Sequence, residues 1–297
     1  MDEKLINYGG QAVIEGVVMR GRQAMAIAMR NPTGEIVTHT ETLGGIYKTG
    51  IVKIPFLRGL ILLWDSLALG MKALNLSANT QAGTDEKIEG PMLFVTYGIS
   101  LILAVGFFFL VPAGIGQLFE RFLKLTPWLS NLIEGFTRLL FLILYIWLIG
   151  LMPDIRRVYG YHGAEHKTIN AFEFGAELTP ENVKRFSVQH PRCGTAFLLT
   201  IVLISILIFT LLGPLSLLWR LITRVLFIPV IAGIAYEYIR WTSRHLDHPL
   251  VKIITKPNLA LQSLTTREPD LAMLEVAITA FKTMKAAETQ AENLEKG

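Results

Sequence analysis

The chain contains a single cysteine, Cys193, in 297 residues. No internal disulfide can form, so cysteine usage calls for no oxidising compartment. Charge is also scarce. Asp, Glu, Lys and Arg make up 18% of the residues, against about a quarter in average soluble domains. The opening segment, MDEKLINYGG, lacks a basic region followed by an apolar one, so no cleavable signal peptide is expected, and no lipidation motif is present. A Gly-rich phosphate-binding loop, a Gly-x-Ser-x-Gly elbow, a Cys-x-x-Cys pair and internal repeats are all missing. The pI near 9.1 would suit a nucleic-acid binder. Membrane proteins, however, collect basic residues on one side for topological reasons, so no nucleic-acid partner is expected.

What the sequence does have is long charge-free apolar stretches, and its mean hydropathy is +0.45. A bilayer core needs about 20 apolar residues as helix. Met92–Phe119 is uncharged and long enough, with Pro112 expected to end or kink it. Leu132–Met152 carries Glu134 and Arg138 only near its start. Thr195–Leu212 closes at Gly213-Pro214. Val225–Ile239 is short, and an extension back through Leu215–Leu221 would lengthen it. The fold class expected is therefore an α-helical polytopic membrane protein with four transmembrane helices. Of the 28 Lys and Arg, 23 fall in residues 1–90, 153–194 and 240–297. The excess of basic residues on those segments predicts both termini and the central loop on the cytoplasmic side of a cell membrane. A further stretch, Ile54–Met71, holds Arg58 and Asp65, which is costly at mid-membrane. An interfacial or re-entrant amphipathic helix is expected there.

Residues 1–50 read as a small cytoplasmic β-meander. Gln11–Met19 and Met25–Arg30 are apolar, Asn31-Pro32-Thr33-Gly34 is a turn, and a strand-like segment follows. It is too small to stand alone, so it should dock on the helices. Residues 51–90 hold the interfacial helix and a polar linker. Residues 91–240 form the membrane domain, with a central loop at 153–194. Residues 241–297 form a cytoplasmic tail in which Asp270 caps an amphipathic helix.

The central loop carries the most informative string, Tyr161-His162-Gly163-Ala164-Glu165-His166-Lys167. His162 and His166 stand four apart, so a helix presents both imidazoles on one face, as two ligands of one metal require. The pattern His-x-x-Glu-His makes Glu165 a candidate general base. Such a site needs further ligands. Glu173 returns to the same face three turns on, and Glu237 lies at the end of the last span. His190 and Cys193 stand three apart just before the third span. The alternatives are structural: Glu237 in a salt bridge with Arg240 or Arg192, and Cys193 as a buried helix start. Glu15, which breaks an apolar strand, either turns to solvent or faces the membrane-surface site with Arg20 or Arg22 as partner.

Six segments, in order, resemble one known family: GGQAVIEGVVMRG, KIPFLRGLILLWDSLALGMKAL, YHGAEHKTINAFE, HPRCGTAFLL, IAGIAYEYIR and LALQSLTTREPD. The chain is similar, over roughly residues 7 to 280, to the bacterial YqhQ-like family of membrane proteins. The family is sometimes labelled a predicted metal-dependent enzyme and carries no catalytic assignment. The resemblance implies a bacterial cytoplasmic membrane and a divalent metal such as zinc. Together with the residues it suggests a metal-dependent enzyme, a hydrolase at the cytoplasmic leaflet, acting on a lipid or membrane peptide. The alternative is a scaffold, assembly factor or transporter in which the same residues form a structural polar network.

Overall fold

The computed structural model describes residues 8–43, 54–82 and 90–296, with the side chains of the last helix described to residue 293. The boundary expected near residue 50 and the linker segment 83–89 lie outside the described residues. Four strands come first: β1 (Gly9–Val13), β2 (Gly16–Arg20), β3 (Ala24–Arg30) and β4 (Ile36–Thr42). They form one antiparallel sheet in sequence order. The stretch Gln11–Met19, expected as one strand, is split into a hairpin. Val13 pairs with Gly16 across a two-residue turn, and Glu15 there takes a positive φ of 52°. A non-glycine residue is strained in that left-handed backbone.

Both faces of the sheet are covered, which explains why β3 is buried along nearly its whole length. Val18, Met25, Ile27 and Met29 point one way and meet Leu69, Ala73 and Leu76 of α1 (Leu57–Ala82). Val17, Met19, Ala26 and Ala28 point the other way, toward α5 (Pro153–Phe174) and α11 (Leu271–Lys296). Part of the polar linker expected within residues 51–90 is therefore helical, since α1 runs as far as Ala82. Asp65 pairs with Arg20 of β2 at 3.0 Å, and Gln81 Nε2 donates to the Arg30 carbonyl at 2.6 Å. From Asp65 to Gln81, α1 is thus fastened to the sheet.

The apolar helices follow. α2 (Pro91–Val105), a π-turn at Gly106–Leu110 and α3 (Val111–Leu123) make one continuous rod. The helix does not end at Pro112. A proline removes the N–H that would bond the carbonyl four residues earlier, here Phe108, and Arg138 Nε donates to that carbonyl instead at 2.9 Å. Arg138 belongs to α4 (Pro127–Ile149), which packs beside α7 (Gly194–Leu211). α6 is a single turn, Pro180–Val183. α8 (Leu217–Leu226) and α9 (Ile228–Arg244) meet at a bend of 44°. α10 (Pro249–Thr265) lies against α7 and α4, with Leu261 between Leu142, Ile146, Leu199 and Val202.

Among the described residues, four helices are long and apolar enough to cross a membrane, five if α8 and α9 form one broken span. The set differs from the one expected in two ways. α1 qualifies by length and composition, and the region expected as the fourth span forms the bent pair α8–α9, which begins at Leu217. The tail behaves as expected in one respect: Asp270 Oδ1 accepts from Met273 N at 2.8 Å at the start of α11. Leu274 on that helix is wholly buried against the sheet. Leu274→Ala should therefore lower stability by about 2–5 kcal/mol, read as a fall in the unfolding midpoint of detergent-purified protein. An unchanged midpoint would mean that α11 does not seal the sheet.

Candidate metal centre

α5 starts with Pro153 in its first turn and ends at Gly175, which supplies the left-handed C-cap with φ 79°. Between Tyr159 and Ala171 it is almost entirely buried, yet its side chains there are largely polar. Burial without partners would cost several kcal/mol, so the partners are the main question. Tyr161 donates to Glu15 Oε2 at 3.1 Å, and Arg157 clasps the same carboxylate at 2.5 and 2.6 Å. The Arg157 guanidinium holds the Glu15 carboxyl below its ordinary range. The partner of Glu15 is therefore Arg157, and neither Arg20 nor Arg22. Lys167 Nζ donates to the carbonyls of Lys184 and Phe186 at 2.8 and 2.7 Å. Asn170 Nδ2 donates to those of Ser187 and Gln189 at 2.8 and 3.0 Å. These contacts fasten segment 184–189 along α5.

That fastening presents the Val188 carbonyl to His166 Nδ1 at 2.6 Å. The Thr265 carbonyl, at the end of α10, meets His162 Nδ1 at 2.8 Å. A carbonyl can only accept, so each Nδ1 carries the proton and each Nε2 keeps a lone pair. This arrangement is the usual way in which a metal-binding histidine is held. The two lone pairs converge on the Cys193 sulfur, at the start of α7. His162 Nε2 lies 3.2 Å from Sγ. His166 Nε2 is buried with no hydrogen-bond partner of good geometry, although the sulfur lies beside it. The ligand atoms of His162, His166 and Cys193 all lie within 4.8 Å of one another. Nitrogen and sulfur bound to zinc at about 2.0 and 2.3 Å stand about 3.5 Å apart in a tetrahedron. Thr195 N–H points at the sulfur from 3.4 Å. The three residues can hold a metal ion and leave a fourth position open.

Glu165 is wholly buried, packed beneath β1 with the Gly10 N–H on its carboxyl. Gly10 is required there, because a Cβ would stand 2.9 Å from Glu165 Cγ and 2.4 Å from the Val18 carbonyl. Burial pushes the Glu165 carboxyl up, against the pull of His162 and His190. Burial likewise holds His166 and His190 below the ordinary imidazole range. His190 stands behind His166, with ring centroids 5.8 Å apart. Its backbone is gripped at both ends by Gln262, whose Oε1 accepts from His190 N at 2.8 Å and whose Nε2 donates to His190 O at 2.9 Å.

Two carboxylates expected as ligands are not in the group. Glu237 is engaged by the Arg58 guanidinium and the Phe56 N–H, joining α9 to the start of α1. Its salt-bridge partner is thus Arg58, in place of Arg240 or Arg192. Glu173 is taken by Arg192 and lies 3.6 Å from His190 Nε2. It stands next to the site and outside the converging set, as does His190. Sequence reasoning missed Gln262, Thr265 and Val188, whose roles depend on backbone carbonyls or on the α10 helix. The segment LALQSLTTREPD, which contains Gln262 and Thr265, was the one available signal.

Two outcomes follow from this geometry. Gln262→Ala strands two buried backbone groups of His190 and should cost about 1–3 kcal/mol for each, read by chemical unfolding. Metal-free protein should also lose stability on acidification. Above pH 6.5, the ordinary imidazole value, His190 is neutral in both folded and unfolded chains. Below it only the unfolded chain takes up the proton readily, so stability falls as pH drops through that range. Glu165, raised by burial, acts in the opposite sense, so the readout is the difference from a His190→Gln variant: the variant should lose less stability than wild type between about pH 7 and 5.5, and an equal loss in both would contradict the burial of His190.

Residues 54–287 match the family described as "Protein of unknown function (DUF1385)". The chain is also 35% identical, over 97% of its own length and 95% of the relative's, to the "Uncharacterized protein YqhQ" of Bacillus subtilis (strain 168). No solved structure matches. The extent of both likenesses shows that this chain belongs to that family.

Proposed function

We propose that the chain is a metal-dependent membrane hydrolase working at the cytoplasmic leaflet, with His162, His166 and Cys193 holding a zinc-class ion. The observation that carries this reading is the unpartnered Nε2 of His166, buried beside the Cys193 sulfur and His162 Nε2. An orphaned lone pair in such a place is costly unless something binds it. A divalent ion there supplies a Lewis acid that polarises a scissile carbonyl or phosphoryl group and acidifies water. The chain's own groups do the rest. Glu165, next to His166 on α5 and outside the converging set, would be the proton acceptor, with the Gly10 N–H holding its carboxyl. The Thr265 and Val188 carbonyls keep both rings facing the open position. His162 is partly exposed while His166 and Glu165 are buried, so substrate approaches from the His162 side. A lipid or membrane peptide suits the position of Cys193 at the first turn of an apolar helix long enough to span.

A second reading treats the cluster as a structural junction or scaffold, favoured by the cap that the Cys193 sulfur provides to α7. Elemental analysis separates the two. Full-length protein purified without chelators should carry about one zinc-class ion per chain. His166→Ala and Cys193→Ser should each abolish that stoichiometry, whereas Glu165→Gln should keep the metal. Wild-type protein without bound metal would leave only the junction.

A further inference from the structure

A second polar centre lies at the opposite ends of α4 and α7 from Cys193. Ser205 is twelve residues beyond the cysteine, about 18 Å along the helix. Glu134 accepts from Arg138 at 2.8 Å and from Arg224 at 2.7 and 2.6 Å. Arg224 also donates to Asn131 Oδ1 at 2.9 Å, and Arg138 to Ser205 Oγ at 3.0 Å. Arg220, one turn before Arg224 on α8, donates to Ser130 Oγ at 3.0 Å and to Glu120 Oε2 at 2.8 Å. Glu134 and all three arginines are no more than 2% exposed. Three guanidinium groups therefore face two carboxylates among apolar helices, an excess of one positive charge. Phe209 lies under Arg224 and Arg138, at 4.3 and 5.4 Å. That contact is attractive and does not neutralise a charge. The cost of an uncompensated ion away from water is far larger. A second, separate sign is Arg220 Nε, which is buried with no hydrogen-bond partner. The outer face of α8 is apolar, with Leu217, Leu218, Trp219 and Leu226 exposed. The one partly open member is Glu120, whose side chain is 22% exposed.

We propose that Arg220, supported by Arg224 and Arg138, binds a singly charged phosphate group that enters past Glu120. Such a ligand cancels the excess charge and accepts from the free Nε–H, and guanidinium groups favour phosphate oxygens. The phosphate can belong to a phospholipid headgroup or be free in solution. Neither the metal centre nor its chemistry enters into this site.

The test uses the full chain purified in phosphorus-free detergent. One arm counts phosphorus retained per chain after exhaustive washing. The other titrates the delipidated protein with inorganic phosphate by calorimetry. About one phosphate per chain is expected in at least one arm. Retention in the first identifies a lipid, and binding in the second alone identifies a free anion. Arg220→Gln should weaken the binding at least about tenfold. Glu120→Gln removes the competing carboxylate and should tighten it. No phosphate in either arm, or the same amount in R220Q, overturns the proposal. If R220Q does not fold, E120Q decides alone, and unchanged or weaker binding there also overturns it.

Discussion

A polar stretch of helix that is buried can persist only if its side chains are matched, and the stretch of α5 from Tyr159 to Ala171 is such a case. Its solution is sequential. Tyr161 reaches forward to the β-hairpin, Lys167 and Asn170 fasten the 184–189 segment, and that segment returns a carbonyl to His166. Gln262 and Thr265 of α10 close the other side. The sheet, the membrane helices and the tail are joined through this one rod. Among the buried side-chain nitrogens and oxygens described on α5, only His166 Nε2 lacks a hydrogen-bond partner, and it is the nitrogen that faces the sulfur.

The two polar centres solve the same physical problem differently. At the histidine centre, nitrogen and sulfur lone pairs face one another and backbone carbonyls fix the tautomers of both rings. At the arginine centre, permanent charges are buried, with two carboxylates set against three guanidinium groups. The first arrangement suits a ligand whose binding depends on lone pairs. The second suits one that carries charge. They sit at opposite ends of the same two helices, α4 and α7, which pack directly on each other.

Local spacing made part of this legible from the sequence. The four-residue step from His162 to His166, the adjacent Glu165 and the cap at Asp270 are short-range facts that helix geometry converts directly into position. Long-range pairings were not legible. Glu237 could have met any of several cations, and only the packing of α9 on α1 selects Arg58. Pro257 sits inside α10, so the segment did not read as helix, and with it went the partners of His162 and His190. Arg220 and Arg224 fall in the stretch between the apolar runs Thr195–Leu212 and Val225–Ile239, where sequence alone gives a charge no partner. Their four-residue spacing, matched by Glu134 and Arg138, was the signal that they share a buried face. Glu15 was misassigned because the hairpin turn that re-aims it was read as continuous strand.

The C-terminal helix holds the earliest part of the chain. Glu288 accepts from the backbone N–H groups of Arg22 and Gln23 at the β2–β3 turn, across 266 and 265 positions of sequence. Loop closure over such distances comes late in folding. A ribosome would therefore release the sheet with one face still bare. The strands emerge first, wait through the insertion of every span, and are sealed only when the last helix arrives. During that interval Val17, Met19, Ala26 and Ala28 are open to water, and the nascent chain is at its most vulnerable to aggregation and proteolysis.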